Sequence, residues 1–509
     1  MESDICQSVN HAMPKTVEAP AGPPSTESTA KELYAAFTDQ DGLHESACRQ
    51  QVLRQSLAFL SEQLALARTL PCDLPSHPAL LPGWLEQNTA RVGQQYRDYL
   101  QARKAGGPRQ YFSNKSHACY FLKSVAPTKM VDGAWLYGLL PRWNDARFAA
   151  LIRIYLEELG DGSPDMNHVV LYRKLLAAHG CEDWDRLDGA HFMQGAIQLA
   201  LAHHAADFLP EVIGFNLGYE QLPLHLLITA YELDELGIDP YYFNLHVTVD
   251  NAASGHARKA VQSVSDAMPQ AGDRHAFYRR MANGYRLNQV GIDTLSAIRS
   301  FDLERELLSV LAAKAAVGAQ LHSDHCRIGG RTVNDWLAQP TQLPAFLSSL
   351  QQTGWIKRHQ DPRNSRFWKL IQGERAAMFG VFNAYERQLM HDWIAGDWMS
   401  GAASTEEGGP PRQLSFRAQR SLHEIPGQGK RMPPQGSTLR GVIRTHMPCR
   451  IDDDEDDFNV ELRQLEQRLA ALPGRDEMMA MLAGLMSPAK HHTAPGLMAT
   501  RMFARMLQW

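Results

Sequence analysis

Residues 245–256 read Leu-His-Val-Thr-Val-Asp-Asn-Ala-Ala-Ser-Gly-His. They place two imidazoles and a carboxylate in an apolar pattern that is typical of a helix. His246 and Asp250 are four residues apart, so on a helix both project from one face, about one turn apart. That geometry suits two ligands of one metal ion. His256 lies about 240° further round an ideal helix than Asp250. It reaches the same site only if the helix is broken at Ser254-Gly255, where glycine tolerates unusual dihedral angles.

Helical periodicity dominates the chain on both sides of this stretch. Apolar residues recur mostly at three- and four-residue spacing, and the Val/Ile/Tyr-rich alternation of strands is scarce. We therefore predict an all-α fold, a helical bundle with additional N-terminal helices and a mostly helical C-terminal extension. The predicted helices of the bundle cover approximately residues 146–160, 166–179, 191–206, 208–236, 241–268 and 274–287.

Composition divides the chain into six predicted segments. The N-terminus is rich in Pro, Ser, Thr, Glu and Ala and buries too little apolar surface to fold, while a Gly/Pro/Ser/Arg-rich stretch near the C-terminus is typical of a flexible linker. The acidic run that ends this linker indicates a solvated face, and we assign it no function. We predict ordinary core packing for the methionine-rich end. The segments are a disordered N-terminus (1–27), an N-terminal helical region (28–109), a metal-binding bundle (110–300), a helical subdomain (301–399), a linker with the acidic run (400–457) and a helical tail (458–509).

Composition and charge exclude several classes of protein. The net charge is −5 over 509 residues, which is unlike the basic footprint of a nucleic-acid binder. Seven cysteines are scattered without a CxxC pair, as in proteins of a reducing compartment. No apolar run is long enough for a membrane span, and no signal-peptide pattern precedes the first helix. We expect a cytoplasmic protein with neither a nucleic-acid nor a membrane partner.

A second set of candidate ligands lies upstream. Glu158 precedes a glycine-containing helix end and His168 begins the next helix, so a helix–loop–helix corner can bring the two together. Glu220 belongs to a predicted apolar helix, where a lone carboxylate is costly unless it is paired or metal-bound. Glu211 is nine residues earlier, on roughly the opposite face, so only one of these two glutamates is expected to serve the site. Mixed imidazole and carboxylate ligands suit iron and manganese.

Other clusters compete with this constellation. The stretch 322–326, His-Ser-Asp-His-Cys, has ligand types that suit zinc but lacks a second pair at finger spacing. We expect a structural or surface role for it. The pairs His203-His204 and His491-His492 are expected to face solvent. Cys119 or Cys181 would be the nucleophile of a metal-free hydrolase, yet neither lies in a convincing constellation.

Three stretches together resemble a known family. They are residues 157–162 with His168, residues 210–220 and residues 245–256. They look like iron-containing redox enzymes of the heme-oxygenase-like di-iron oxidase and oxygenase superfamily, and the motif-bearing resemblance spans about residues 110–290. It implies a heme-oxygenase-like bundle with a non-heme iron site, usually binuclear, and no heme. Carried over by position, the implied ligands are Glu158, His168, Glu220, His246, Asp250 and His256, with Glu220 as a bridging carboxylate and Glu211 as its alternative.

The resemblance implies a dioxygen-dependent oxidase or oxygenase. The expected cofactor is Fe(II), as one ion or two, with dioxygen as co-substrate and a small organic substrate such as an amine, an amino acid or a fatty acid. A homodimer is one option for its assembly. The alternative is a metal-free binding or scaffold protein of the same fold.

Overall fold

A computed structural model describes residues 25–39, 46–249, 255–318, 320–378, 380–398 and 460–507. The predicted linker and its acidic run lie outside the described residues, as do residues 1–24 of the N-terminus. The first helix begins at Thr26 and is capped by the Ser25 hydroxyl. It therefore starts two residues inside the segment that we expected to be disordered.

The described residues confirm the predicted all-α class, with one two-stranded hairpin as the exception. In chain order the α-helices are α1 (Thr26–Thr38), α2 (Ser46–Ala67), α3 (Leu81–Lys104), α4 (Lys115–Ser124), α5 (Ala126–Lys129), α6 (Ala149–Glu158), α7 (His168–His179), α8 (Met193–His203), α9 (Leu209–Tyr219), α10 (Leu224–Glu235), α11 (Tyr241–Val249), α12 (His256–Ala267), α13 (Arg274–Arg286), α14 (Thr294–Arg299), α15 (Leu303–Gly318), α16 (Val333–Leu337), α17 (Leu343–Gln352), α18 (Arg366–Ile371), α19 (Ala384–Ala395), α20 (Val460–Ala470), α21 (Arg475–Leu485) and α22 (Ala494–Met506). Short 3-10 helices cover Pro78–Leu80, Ala134–Arg142, Ala146–Phe148, Gly160–Gly162, Glu182–Arg186, Gly189–Phe192, Leu287–Gln289, Pro340–Gln342 and Pro362–Asn364. The strands β1 (Arg327–Ile328) and β2 (Arg331–Thr332) pair antiparallel.

Two of the predicted helices are divided. The pattern at 208–236 contains Pro223, which cannot donate a helical hydrogen bond and disfavours helical geometry in the residue before it. The chain therefore leaves α9 at Tyr219 and re-enters a helix at Leu224. The pattern at 241–268 is likewise divided, because Gly255 has an extended backbone (φ −85°, ψ −163°) and α12 begins at His256.

Two large apolar cores meet in the centre of the molecule. The first contains buried residues of α1, α2, α6, α8, α9, α12 and α13, together with the C-terminal helices α20 to α22. The second is built mainly from α4, α7, α10 and α11. A third core holds the subdomain of α15 to α19. Met479 and Met486 are fully buried in the first core, so the C-terminal methionines pack as ordinary core residues.

None of the helices in the described part of the chain is long and apolar enough to span a membrane.

The histidine pairs do not face solvent as we expected. The His203 ring stacks on Phe37 with 4.3 Å between centroids, and His204 Nε2 lies 2.8 Å from Ser56 Oγ. His491 is buried beneath the C-terminal helices, and His492 packs edge-on against it. Neutral imidazoles bury readily once their ring nitrogens or faces find partners, which the local sequence does not reveal.

We expect His203 to make the fold sensitive to acid. Burial lowers the pKa of His203 to about 4, whereas an unfolded histidine titrates near 6.5, so the unfolded chain binds the proton first. The stabilisation is complete above about pH 6.5 and is lost as the pH falls from there through about 4, with an upper limit of ~3 kcal/mol. The variant His203→Phe retains the stacking on Phe37. Urea unfolding at several pH values should therefore show a smaller acid-induced loss of stability in this variant, and identical losses in both proteins would contradict the assignment.

Candidate metal centre

Six buried side chains form two adjacent groups where the first and second cores meet. Asp132, His168 and His246 form the histidine-rich group, and within it one ligand atom of each residue lies within 4.8 Å of the others. The second, glutamate-rich group meets the same limit. Its members are Glu158, Glu220 and His256. Each group offers three donors of the types that bind iron or manganese.

The histidine-rich group is centred on the Asp132 carboxylate. Its Oδ2 atom lies 3.3 Å from His246 Nε2 and 3.8 Å from His168 Nδ1. Two phenols hold the same carboxylate, since Tyr219 donates to Oδ1 at 2.8 Å and Tyr242 donates to Oδ2 at 2.6 Å. The hydroxyls fix the orientation of the carboxylate while the two imidazoles approach it.

The glutamate-rich group is centred on His256, the first residue of α12. His256 Nδ1 lies 3.1 Å from Glu220 Oε2 and 3.3 Å from Glu158 Oε1. On the far side of the ring, Nε2 lies 2.7 Å from Glu157 Oε2. With a metal ion bound, a proton on Nε2 would donate to Glu157, and Nδ1 would have its lone pair available for the ion. Such a carboxylate partner orients a metal-binding histidine and sets its tautomer.

The Glu158 carboxylate joins the two groups. Its Oε1 atom faces His256, while its Oε2 atom lies 2.5 Å from His168 Nδ1. Neither Glu158 Oε2 nor His168 Nδ1 makes a well-aligned hydrogen bond within the described part of the chain, although both are buried. Two donor atoms this close, buried and poorly aligned for each other, are arranged as ligands of a common ion are.

The Glu158–His168 corner, residues 158–168, is formed as the sequence predicted. Glu158 is the last residue of α6, and His168 is the first residue of α7, which is capped by Asn167. The opposite wall is Gly133, whose φ is 79° and where a Cβ would lie 2.9 Å from the Glu158 Cβ. Only glycine accepts both the backbone conformation and this close approach.

The ionisable groups of the site shift the pKa values of one another. Burial alone would raise the pKa of Asp132, but Lys129 and the two nearby imidazoles hold it well below its usual range. Burial also opposes ionisation of Glu158, yet His168 and His256 keep its pKa low. Burial alone would lower the pKa of His168, whereas Glu158 and Asp132 raise it to about 10. Without a metal ion, a proton on His168 therefore supplies positive charge at neutral pH.

The chain matches a known family over this part of its length. Residues 119–289 match the model of a family described as iron-containing redox enzyme. The matched segment contains all six members of the two groups, and the match confirms the resemblance inferred from the sequence. No curated protein and no solved structure matches the chain significantly.

The chemistry of the donor set fits iron. Three carboxylates and three imidazoles are buried within the matched segment, and the buried carboxylates require cations or protons for compensation. Within the part of the chain described here, Lys129 is the ammonium that approaches Asp132, and its Nζ remains 3.9 Å from Oδ2. The six residues would hold the metal. Bonds to the ion would satisfy Glu158 Oε2 and His168 Nδ1, which are buried and poorly aligned for a hydrogen bond with each other.

The structure brings together five of the six ligands predicted from the sequence. These are Glu158, His168, Glu220, His246 and His256. The sixth, Asp250, lies outside the described residues. Glu220 follows α9 as its C-terminal cap instead of lying within a helix.

The alternative carboxylate, Glu211, belongs to a different interaction. Its two oxygens each lie 2.7 Å from the Arg280 guanidinium, so an ion pair accounts for its burial.

Sequence reasoning missed Asp132 and the groups that orient the ligands. Asp132 follows Met130-Val131 and precedes Gly133, so it is a lone carboxylate in an apolar run. The cost of burying such a group was the signal used for Glu220, and it applied here equally. Tyr219, Tyr242 and Glu157 carry no comparable signal, because their role depends on tertiary contacts.

The rival clusters do not form sites of this kind. Within the described ranges, the stretch 322–326 does not contribute a third group of converging ligands. The Cys181 thiol contacts the Cys119 carbonyl oxygen at 3.6 Å. A hydrogen bond with Cys119 and burial raise the pKa of Cys181 well above its usual value, so this thiol is not an activated nucleophile.

Glu220 and Glu211 make a matched test of the candidate metal centre. Glu220→Gln removes a charged oxygen ligand of the glutamate-rich group, and we expect less iron to be retained per chain after anaerobic loading. Glu211→Gln should leave the iron content unchanged and lower the free energy of unfolding by ~1 kcal/mol or less, as for a partly exposed ion pair. Metal analysis of the two proteins after gel filtration checks both expectations. Equal iron content in both variants would contradict the assignment of Glu220.

Proposed function

We propose that this protein is a non-heme di-iron oxidoreductase that uses dioxygen to oxidise a small organic substrate. The observation that carries the proposal is the position of Glu158, whose two oxygens face two different groups of imidazole and carboxylate ligands. A carboxylate in this position would be suited to bridge two ions, a role that the family resemblance implied for Glu220. The proposed substrate class is an amine, an amino acid or a fatty acid, as in the superfamily that the sequence resembles.

The ligand types support iron at each of the two positions. Two imidazoles and one carboxylate, as in the histidine-rich group, make the ligand set that non-heme Fe(II) oxygenases use. The glutamate-rich group is richer in carboxylates, which favour hard divalent ions and the ferric state. When bound there, iron would supply the redox chemistry and the activation of dioxygen.

The protein orients the metal ligands and keeps bulk water away from them. Tyr219 and Tyr242 hold the Asp132 carboxylate through their hydroxyls, and Glu157 holds the His256 ring through Nε2. These contacts limit the rotation of two ligands before a metal arrives, which lowers the entropic cost of binding. The six residues are at most 5% exposed, so bulk water has little access to them.

Lys129 adds positive charge at one edge of the site. Its Nζ atom is 3.1 Å from Tyr219 Oη and lies over the Tyr219 ring at 5.1 Å from the centroid. The ammonium therefore supports ionisation of Asp132 through space and braces one of the phenols that hold it. With three carboxylates in the site, one peripheral ammonium leaves negative charge for divalent ions to neutralise.

Anaerobic loading with Fe(II), followed by mixing with dioxygen, tests this function. We expect the wild-type protein to retain about two iron ions per chain, to consume dioxygen and to show a transient change in visible absorption. His168→Ala should lose iron and the absorption change, because it removes a donor that faces both Asp132 and Glu158. His179→Ala is the matched control, since His179 ends the same helix and belongs to neither group.

A wild-type protein that retains no iron and does not react with dioxygen would instead support the metal-free binding or scaffold protein. Incubation of the loaded protein with candidate substrates under isotopically labelled dioxygen then separates the reaction types. An oxygenase transfers the label to the product, whereas an oxidase leaves it in water or hydrogen peroxide.

A further inference from the structure

The C-terminal helices contact the Glu158–His168 corner at three points. The Tyr155 hydroxyl donates to the Met486 carbonyl oxygen at 2.5 Å, and Arg501 Nε donates to the Gly162 carbonyl oxygen at 3.1 Å. Between these contacts, Asn167 Nδ2 lies 3.1 Å from His491 Nδ1. The turn between α21 and α22 therefore covers the backbone that carries two of the metal-ligand candidates.

Asn167 holds both sides of this corner at once. Its Oδ1 accepts from the Val170 backbone N–H at 3.1 Å and so caps α7, the helix that begins with His168. Its Nδ2 donates to the Leu159 carbonyl oxygen at 3.2 Å, one residue beyond Glu158. A single fully buried amide thus sets the distance between the ends of two helices.

The remaining hydrogen of that amide is directed at His491. Asn167 Nδ2 carries two hydrogens and can only donate, and one of these hydrogens is used for the Leu159 carbonyl oxygen. His491 Nδ1 must therefore accept the other. His491 is 2% exposed, and burial lowers its pKa well below the usual value. The ring is therefore neutral and has a lone pair available for this hydrogen bond.

The turn of the Glu158–His168 corner allows the C-terminal helices to pack closely against it. Gly162 has a φ of 81°, and a Cβ there would lie 2.3 Å from the Leu497 carbonyl oxygen. A side chain at this position would push α22 away from the corner. Glycine therefore permits the close contact. The same turn receives the hydrogen bond from Arg501.

We propose that Asn167 and His491 are positioning residues that hold Glu158 and His168 in register for metal binding. The inference rests on the proposed function, because it concerns ligands of the same site. His491 lies more than 200 residues beyond the family match, which ends at residue 289. The C-terminal helical segment thus helps to position the metal ligands of this chain.

Four variants of the full-length chain test the inference. His491→Leu removes the acceptor, and His491→Asn places an amide oxygen near the position of Nδ1 and should restore it. Asn167→Ser keeps an effective helix cap but loses both amide donations. His492→Leu is the matched control, since it removes the neighbouring half-buried imidazole, whose two ring nitrogens make no hydrogen bond in the described part of the chain.

The readout is the dissociation constant of Mn(II), measured by equilibrium dialysis and by the electron paramagnetic resonance signal of the free ion. Loss of a residue that orients a metal ligand costs roughly 10- to 100-fold in affinity. We expect a weakening of that size for His491→Leu and Asn167→Ser, near-wild-type affinity for His491→Asn, and no change for His492→Leu. Thermal unfolding of each metal-free protein separates lost affinity from lost fold.

Four results would contradict parts of this proposal. Wild-type affinity in His491→Leu would refute the positioning role, as would equal weakening in His491→Leu and His492→Leu, which indicates packing alone. If His491→Leu does not fold, Asn167→Ser decides, because its helix cap is retained, and wild-type affinity in that variant would refute the role. Absence of Mn(II) binding by the wild-type protein would refute the proposed function itself.

Discussion

The centre of this molecule depends on the burial of the Glu158 carboxylate between the imidazoles of His168 and His256. A buried carboxylate is costly unless positive charge and hydrogen bonds compensate it. Here the neighbourhood adds further negative charge, because Asp132 and Glu220 are also buried within the two groups. Protonated histidines can offset part of this charge, but they occupy the same nitrogen atoms that a metal would use. The cost of burying these carboxylates is offset only if the site binds cations. The two apolar cores meet around it.

The sequence predicted most of the helices and part of the site for one physical reason. Helical periodicity is a local property, so the apolar pattern located α6, α7, α8 and α13 to within a few residues. The Glu158–His168 corner was also local, because a helix end and the following helix start are marked by caps and glycines. Asp132 carried the same local signal as Glu220, but its partners Tyr219 and Tyr242, which show its role, are distant in sequence.

The divided helices show where local reasoning was insufficient. The apolar pattern at 208–236 continues across Pro223, so periodicity alone indicated one helix and placed Glu220 inside it. The break moves Glu220 to a helix end, where its side chain turns toward His256. His491 shows a stronger form of the same limitation, since its contact with Asn167 spans 324 positions in the chain. Local composition at His491-His492 favoured exposure, and only tertiary packing reverses that interpretation.

The support of the corner by the C-terminal helices has a thermodynamic consequence. If docking of α21 and α22 improves the affinity for metal, then metal binding must stabilise that docking by the same free energy, because coupling between two equilibria is reciprocal. Asn167 is the physical link, since its amide binds the Leu159 carbonyl, the cap of α7 and His491 together. Under the proposed roles of Asn167 and His491, the metal ligands, the two helix ends and the C-terminal segment would form one cooperative unit. Folding of the C-terminal segment and occupation of the site would then support each other, although the segment lies outside the family match.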